Sequence, residues 1–496
     1  MGWKASLMSP FARKISLTIS KQAATALSSQ ESILRFLLAK AVHTEFGKDH
    51  GFAQLKSHGD FKSAVPIRDY EGHRPYIDQI LEGKSNILWP DKPKYLAKTS
   101  GTTSGVKYIP ITKESIPNHF GTARNALFNY MHRTGKSAFL EGKMIFLSGS
   151  PQLTQTAGIP TGRLSGIVNH MVPKWLKSNQ MPSLATNCIE DWEEKLDRIV
   201  EETHDRDMRL ISGIPPWVKM YYERLLEKTG KSTIREIFPQ LQVFVYGGVN
   251  YEPYRASLEA LMGPEVDTLE TYPASEGFIA FQDDINEEGL LLNTQSGIYY
   301  EFVPASEIHT ESPSRLSLAE VELGVNYAIL LSTNAGLWAY DIGDTVSFTS
   351  LDPYRLRVTG RTAHYISAFG EHVIGQEVEK AMQTAIAQSG GSVVEFTVAP
   401  QVNPASGLPH HEWYIEWDRK PEDVGAFAQI LDQSLRQLNI YYEDLISGSV
   451  MRPLKVQNVS REGFVRYMKS QGKLGGQNKV PRLSNDRKIV DQLELG

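Results

Sequence analysis

The sequence predicts an α/β fold, with a large N-terminal body followed by a smaller α+β part. Three observations carry this. Between Tyr95 and Tyr246, short apolar runs alternate with helical stretches of about 10 to 15 residues, the pattern of a parallel sheet covered on both faces. From Gly289 the strand-like runs become closely spaced, which reads as antiparallel β-structure in a barrel or small sheet. After the polar glycine turn Thr359-Gly360-Arg361-Thr362, a helix, two strands and a second helix make a compact final unit. The expected division is residues 1–358, a pivot at 359–362, and 363–496.

In chain order, Ile15 to Glu45 reads as helical, because apolar residues such as Ile33, Phe36, Leu37 and Ala41 recur at three and four spacing. Pro66 breaks that pattern, and Asp69 stands where it can cap the next helix. Tyr95–Lys98 and Lys107–Ile111 are strands flanking a turn, and Thr112 can cap a helix from Glu114. Met144–Ser148, Arg209–Ser212 and Val243–Tyr246 read as buried strands. Trp217–Thr229 reads as a helix stopped by Gly230. Next come strands at Ile298–Phe302, Ala319–Leu323, Tyr327–Thr333, Trp338–Tyr340, Thr345–Thr349 and Tyr354–Val358. The final unit has helices Gly375–Gln388 and Pro421–Leu438 around strands Val393–Ala399 and Glu412–Trp417.

Composition excludes several classes. The 496 residues are 41% hydrophobic and 22% charged, which is globular rather than disordered. Fifty-two basic against 57 acidic residues leave a net charge of −5, which does not favour a nucleic-acid binder. A single cysteine, Cys188, leaves no intrachain disulfide and no multi-cysteine zinc module, and fits the cytoplasm. No apolar run approaches the about 20 residues of a membrane span, and the N-terminus lacks the apolar core of a secretory signal. Met1-Gly2 with Ser6 matches a loose myristoylation pattern, although a helix start is the simpler reading. His410-His411-Glu412 does not have the spacing of a zinc protease.

Three motifs carry chemistry. Lys98 to Lys107 (KTSGTTSGVK) is rich in hydroxyls and glycine, so its backbone can approach an anion closely, but it lacks the spacing of a Walker A loop. Leu269 to Gly277 (LETYPASEG) offers an aromatic ring, Tyr272, and four residues later a carboxylate, Glu276, able to hold Mg²⁺ beside phosphates. Tyr340-Asp341-Ile342-Gly343-Asp344 offers two acids that suit a ribose diol. Each alone is also compatible with an ordinary turn.

In this order, the three resemble the adenylate-forming superfamily, and within it the GH3 family of acyl acid–amido synthetases, in a form nearer its bacterial branch. The resemblance runs from about Pro66 to the C-terminus. It includes Gly158–Lys174, Gly213–Val218, Gly247-Gly248, Ala368–Glu371 and Gly475–Arg482. It implies a large adenylate-forming domain, α/β sheets with a β-barrel-like part, and a small mobile C-terminal lid. ATP and Mg²⁺ would serve adenylation of a carboxylic acid, and an amine, typically of an amino acid, would then take the acyl group.

Carried over residue by residue, the resemblance puts Ser100, Gly101, Thr102 and Thr103 on phosphates. Gly247 and Gly248 would line the adenine slot, with Tyr272 stacked on the base. Ser275 would lie near phosphate, Glu276 would hold Mg²⁺, Asp344 would take the ribose, and Arg361 the ribose or phosphate. Lys479, within Gln477-Asn478-Lys479-Val480-Pro481-Arg482, would stabilise charge at the α-phosphate. His170 and Trp217 are candidates for the acyl pocket. Plant members commonly carry one more residue before the lysine matching Lys107, which leaves its phosphate role open. The expected partners are small molecules only, with no nucleic acid, no membrane span and a monomeric state. Two alternatives remain open: an acyl-CoA synthetase of the same superfamily, and a nucleotide-binding regulator without turnover.

Overall fold

The computed structural model describes residues 3–102, 105–172, 177–249, 251–263, 265–362, 365–371, 373–471 and 480–496. The chain divides into two compact units. The first comprises Met1–Thr99, Lys107–Ile189 and Leu196–Thr362, and the second Ser100–Val106, Glu190–Lys195 and Ala363–Gly496.

In chain order the strands up to residue 361 are β1 (Tyr95–Thr102), β2 (Gly105–Ile111), β3 (Lys143–Phe146), β4 (Thr154–Thr156), β5 (Ile159–Gly162), β6 (Gln180–Met181), β7 (Met208–Ser212), β8 (Val243–Gly247), β9 (Asp267–Ala274), β10 (Gly277–Phe281), β11 (Leu290–Leu292), β12 (Ile298–Pro304), β13 (Asn326–Thr333), β14 (Tyr340–Leu351) and β15 (Tyr354–Arg361). Eleven of them form one mixed sheet in the order β12-β13-β14-β15-β11-β10-β9-β8-β7-β3-β6. Strands β6, β3, β7, β8 and β9 are parallel, as their apolar runs predict. From β9 to β12 the pairings are antiparallel. A second sheet has the order β2-β1-β5-β4.

The antiparallel strands expected after Gly289 are present. They continue the parallel sheet through β10 and β11. Two local expectations need correction. Ala319–Leu323 is not a strand; a short 3₁₀ turn, Leu318–Glu320, stands there behind the capping residue Ser317. Thr359–Arg361, expected as a turn, is the end of β15, where Gly360 pairs with Thr345 and Arg361 with Asp344. The long N-terminal helix is broken at Thr25 into Trp3–Ala24 and Ala26–Ala41. Asp69 does cap helix Tyr70–Leu81, its Oδ1 accepting the Gly72 N–H at 3.0 Å.

Beneath the sheet, Trp338, fully buried, donates its indole N–H to the Leu88 carbonyl at 3.1 Å among Phe46, Phe52 and Phe61. A buried charge cluster ties helix His58–Ala64 to β12. Glu301 receives Arg315 Nε at 3.0 Å and Nη2 at 2.7 Å, and His58 Nε2 lies 2.9 Å from Oε1. Burial alone would raise the Glu301 carboxyl; the His58 hydrogen bond and the Arg315 charge overcome it and hold it below its ordinary range.

In the second unit, β16 (Tyr365–Ile366) and β17 (Val373–Ile374) form a two-stranded ribbon. The strands β18 (Ser392–Gln401), β19 (His410–Arg419) and β20 (Lys455–Val459) form a three-stranded sheet. Helices Gly375–Ser389 and Val424–Leu438 pack on each other. Among the described residues, no helix is long and apolar enough to cross a membrane.

Candidate active site

The site starts from a hairpin. Ala274 at the end of β9 pairs with Gly277 at the start of β10, so Ser275 and Glu276 form a two-residue tip. Asn118 clamps its second arm. The Asn118 side chain accepts the Phe278 N–H at 2.7 Å and donates to the Phe278 carbonyl at 3.1 Å and to Ser296 Oγ at 2.8 Å. Asn118 lies in a π-turn, Pro117–Gly121, a rare backbone form that often marks functional sites.

Asp344 approaches from β14. Between Asp341 and Thr345 that strand runs four positions while β13 advances only two, from Leu330 to Ala328. The extra residues bulge out, which re-aims their side chains. Gly343 sits in the bulge at φ +82°, and a Cβ there would lie 2.8 Å from Arg361 Nη2. Glycine therefore lets the guanidinium lie against the bulge, where Nη2 donates to the Ile342 carbonyl at 2.8 Å and Nε lies 3.3 Å from Asp344 Oδ1. The other Asp344 oxygen accepts the Tyr272 hydroxyl at 2.6 Å. Three strands separate β9 from β14 in the sheet order. At about 4.8 Å per strand a flat sheet would hold them roughly 19 Å apart. The sheet curls here, and the curl brings the Tyr272 and Asp344 motifs together.

Lys107 on β2 faces this group. Burial lowers its ammonium, while Glu276 works against burial; Arg361, Asp69 and Asp341 also act on it. Burial raises Glu276, with Lys107 opposing and Asp344 adding to the rise. Lys107 Nζ lies 5.8 Å from the centre of the Tyr70 ring, within cation–π range. Tyr70 is pushed up to about 12 by burial, while its hydroxyl accepts the Tyr108 N–H at 2.9 Å. The fully buried Tyr340 is raised by burial and by Glu276. The sequence left Lys107 undecided and did not single out Tyr70; the one available signal was a charged residue on an otherwise apolar strand.

Gly247 ends β8 beside Thr271, where a Cβ would meet the Thr271 carbonyl oxygen at 2.3 Å. Strand-to-strand approach alone therefore requires glycine there. Gly248 follows at φ +83°. Ser100, Gly101 and Thr102 end β1, while Thr103 and Lys479 lie outside the described residues. His170 is exposed on helix Leu164–Met171, with Nε2 2.9 Å from the Pro151 carbonyl. Trp217 lies in the first turn of helix Pro215–Thr229, half-buried.

The cluster suits a nucleotide with its divalent ion. It offers a tyrosine ring, a carboxylate flanked by a guanidinium, an ammonium and a second carboxylate. Among the described residues no group of three or more metal-ligating side chains gathers. The donor set fits Mg²⁺ held by one carboxylate together with substrate phosphates.

The fold is that of the adenylate-forming enzymes. An acyl acid amido synthetase, AtGH3.15 in complex with 2,4-DB, superposes with a TM-score of 0.62 at 16% identity, covering 97% of this chain and 96% of that one. A 2-hydroxyisobutyryl-CoA ligase gives 0.60 at 14% identity, covering 94% and 91%. Within that class the chain belongs to the GH3 family. It matches the family's N-terminal domain over residues 17–187, its central domain over 291–361 and its C-terminal domain over 376–488. Among curated relatives, jasmonoyl–L-amino acid synthetase JAR4 of Nicotiana attenuata is 24% identical over 82% of both chains. Indole-3-acetic acid-amido synthetase GH3.4 of Arabidopsis thaliana is 26% identical over 94% of this chain and 91% of its own.

Proposed function

We propose that this chain is an ATP-dependent acid–amine ligase. In the first half-reaction a substrate carboxylate oxygen attacks the ATP α-phosphorus. The bond to the β-phosphate breaks, pyrophosphate leaves and acyl-AMP remains. In the second, an amino acid nitrogen attacks the acyl carbon, the bond to AMP breaks, and the nitrogen gives up a proton. Such chemistry is mostly positioning and charge stabilisation. Membership of the GH3 family across all three of its domains carries this proposal.

Within it, Asp344 takes the ribose diol, held in place by Tyr272 and Arg361. The Tyr272 ring faces the base, and Gly247 and Gly248 border it. Ser100, Gly101, Thr102, Thr103 and Ser275 serve the phosphates, joined by Lys107, whose coupling to Glu276 supports a phosphate role. Glu276 would hold Mg²⁺, which neutralises phosphate charge when bound. His170 and Trp217 remain proposed for the acyl pocket. Lys479 is proposed to stabilise charge at the α-phosphate during adenylation. Residues 363–496 are proposed to act as a lid pivoting near 359–362, in a monomeric, cytoplasmic enzyme.

The test is pyrophosphate release by the pure protein, screened over carboxylic acids with each amino acid or CoA as acceptor. Acid-dependent pyrophosphate release with an amide product supports the proposal. A thioester formed only with CoA identifies an acyl-CoA synthetase. No release with any acid identifies a silent nucleotide binder.

A further inference from the structure

We propose that the exposed face of helix Trp3–Ala24 docks on an anionic lipid surface, an inference independent of the reaction above. The helix buries Ala12, Ile15, Ser16 and Ile19, and Ser16 Oγ donates to Asn129 Oδ1 at 2.8 Å on helix Thr122–Thr134. Its other face is apolar and cationic at once. Leu7 and Leu17 are 64% and 58% exposed, and Arg13, Lys14 and Lys21 are exposed among them. Pro10, Arg13, Lys14, Leu17, Thr18 and Lys21 line one open depression, at the three and four spacing of a single helix face.

Charge complementarity selects the occupant. The chain carries a net charge of −5, yet no acidic residue occurs before Glu31. Nearby cations elsewhere are paired, Arg133 with Asp284 at 2.6 Å and Lys136 with Asp267 at 2.7 Å. Among the described residues, no carboxylate lies within ion-pair distance of Arg13, Lys14 or Lys21. Arg124 adds a further cation, 5.9 Å from the Phe11 ring centre. A helix of this kind lies in the plane of a bilayer surface. Its leucines enter the acyl boundary, while lysine and arginine stems lie along it and carry their charges to the lipid phosphates. An acidic protein would match the cations but leave Leu7 and Leu17 unused. The family match begins at residue 17, so Leu7, Pro10, Arg13 and Lys14 lie outside it.

The experiment is co-sedimentation of the full chain with phosphatidylcholine vesicles, with and without phosphatidylserine. The expected result is pelleting only with phosphatidylserine, weakening as salt is raised. Replacing Arg13, Lys14 and Lys21 together by serine should weaken binding about 100-fold, since each cation near an anionic surface is worth roughly fivefold. Leu17→Ser should weaken it several-fold. These residues are exposed, so the thermal midpoint should stay unchanged, and the salt dependence of the unaltered protein tests the proposal without any variant. Equal pelleting with neutral vesicles, no pelleting, or unchanged pelleting of the triple variant would overturn it. So would capture by an immobilised acidic polypeptide in the absence of any vesicle binding.

Discussion

The Tyr272 hydroxyl donates to Asp344 at 2.6 Å, although three strands separate their own strands in the sheet. One carboxylate therefore takes a hydroxyl on one oxygen and a guanidinium, Arg361, on the other. Its rotamer is set before any ligand arrives. Tyr272→Phe keeps the ring and removes this restraint. A hydrogen bond to a charged group is worth about 1.5–3 kcal/mol, so the apparent KM for ATP should rise roughly tenfold or more. ATP titration of pyrophosphate release is the measurement, and an unchanged KM would remove the hydroxyl from nucleotide binding. Asp344→Ala should have a larger effect, because it also strips Arg361 of its carboxylate.

Glu276 should give adenylation an acid limb. Its carboxyl is raised by burial, so it takes up a proton at a higher pH than an ordinary glutamate. As pH falls through that raised value the charge needed for Mg²⁺ is lost, and the rate should fall with it. Glu276→Gln should lower adenylation throughout and abolish the limb. A pH–rate profile in which the variant keeps the same limb would assign it to another group.

The Glu301–Arg315–His58 cluster should govern stability rather than chemistry. Arg315→Met leaves a buried carboxylate without its main partner, a change that typically costs about 3–5 kcal/mol. Glu301 is depressed in the folded state, so its contribution is present above the unfolded value and is lost as pH falls through the folded one. Urea unfolding should show that acid loss in the native protein and a much weaker one in Arg315→Met.

Glu377 has the opposite sign. It is 5% exposed, accepts the Ile374 N–H and Asn439 Nδ2 at 3.0 Å each, and is raised by burial to about 7. A raised carboxyl favours the folded form below its unfolded value, and that advantage is lost as pH rises toward 7. Glu377→Gln should stabilise the second unit at pH 8 by about 1–3 kcal/mol and flatten its pH dependence. Thermal unfolding across that range decides it.

Lys479→Ala should slow acyl-AMP formation by about 10²- to 10³-fold, the usual worth of one electrostatic donor. It should spare attack of the amine on supplied acyl-AMP, where no pyrophosphate departs. Pre-steady-state pyrophosphate release beside single-turnover aminolysis separates the two. Equal losses in both would make Lys479 a general closure residue.

The parallel half of the fold was legible because its strands are short apolar runs. Val243–Tyr246 is bounded by turns, and Arg209–Ser212 precedes a proline-started helix. The hairpin β9–β10 was not legible. Pro273 and the polar residues around it read as a turn, and the pairing of Ala274 with Gly277 has no local apolar signal. The motifs were each visible, but their convergence was not. Asp69, Lys107, Glu276 and Asp341 are far apart in sequence: Asp69 follows Arg68, which bridges to Tyr340 beside Asp341, Lys107 comes from the second sheet and Glu276 from the β9–β10 tip, and no periodicity encodes that meeting. Gly247 shows the converse: the resemblance puts it at the adenine slot, while the close approach of Thr271 by itself already requires glycine there.

The place of β11 in the sheet bears on how this chain is made. Leu290 pairs with Leu356 and Leu291 with Arg355, so one edge of β11 waits for a strand that leaves the ribosome much later. Until then the hairpin carrying Glu276 ends in a short, apolar, unpaired border, the kind of edge that recruits wrong partners. Translation stalled before Tyr354 would expose that border for as long as the stall lasts, so the dangerous interval for this protein falls late in its synthesis.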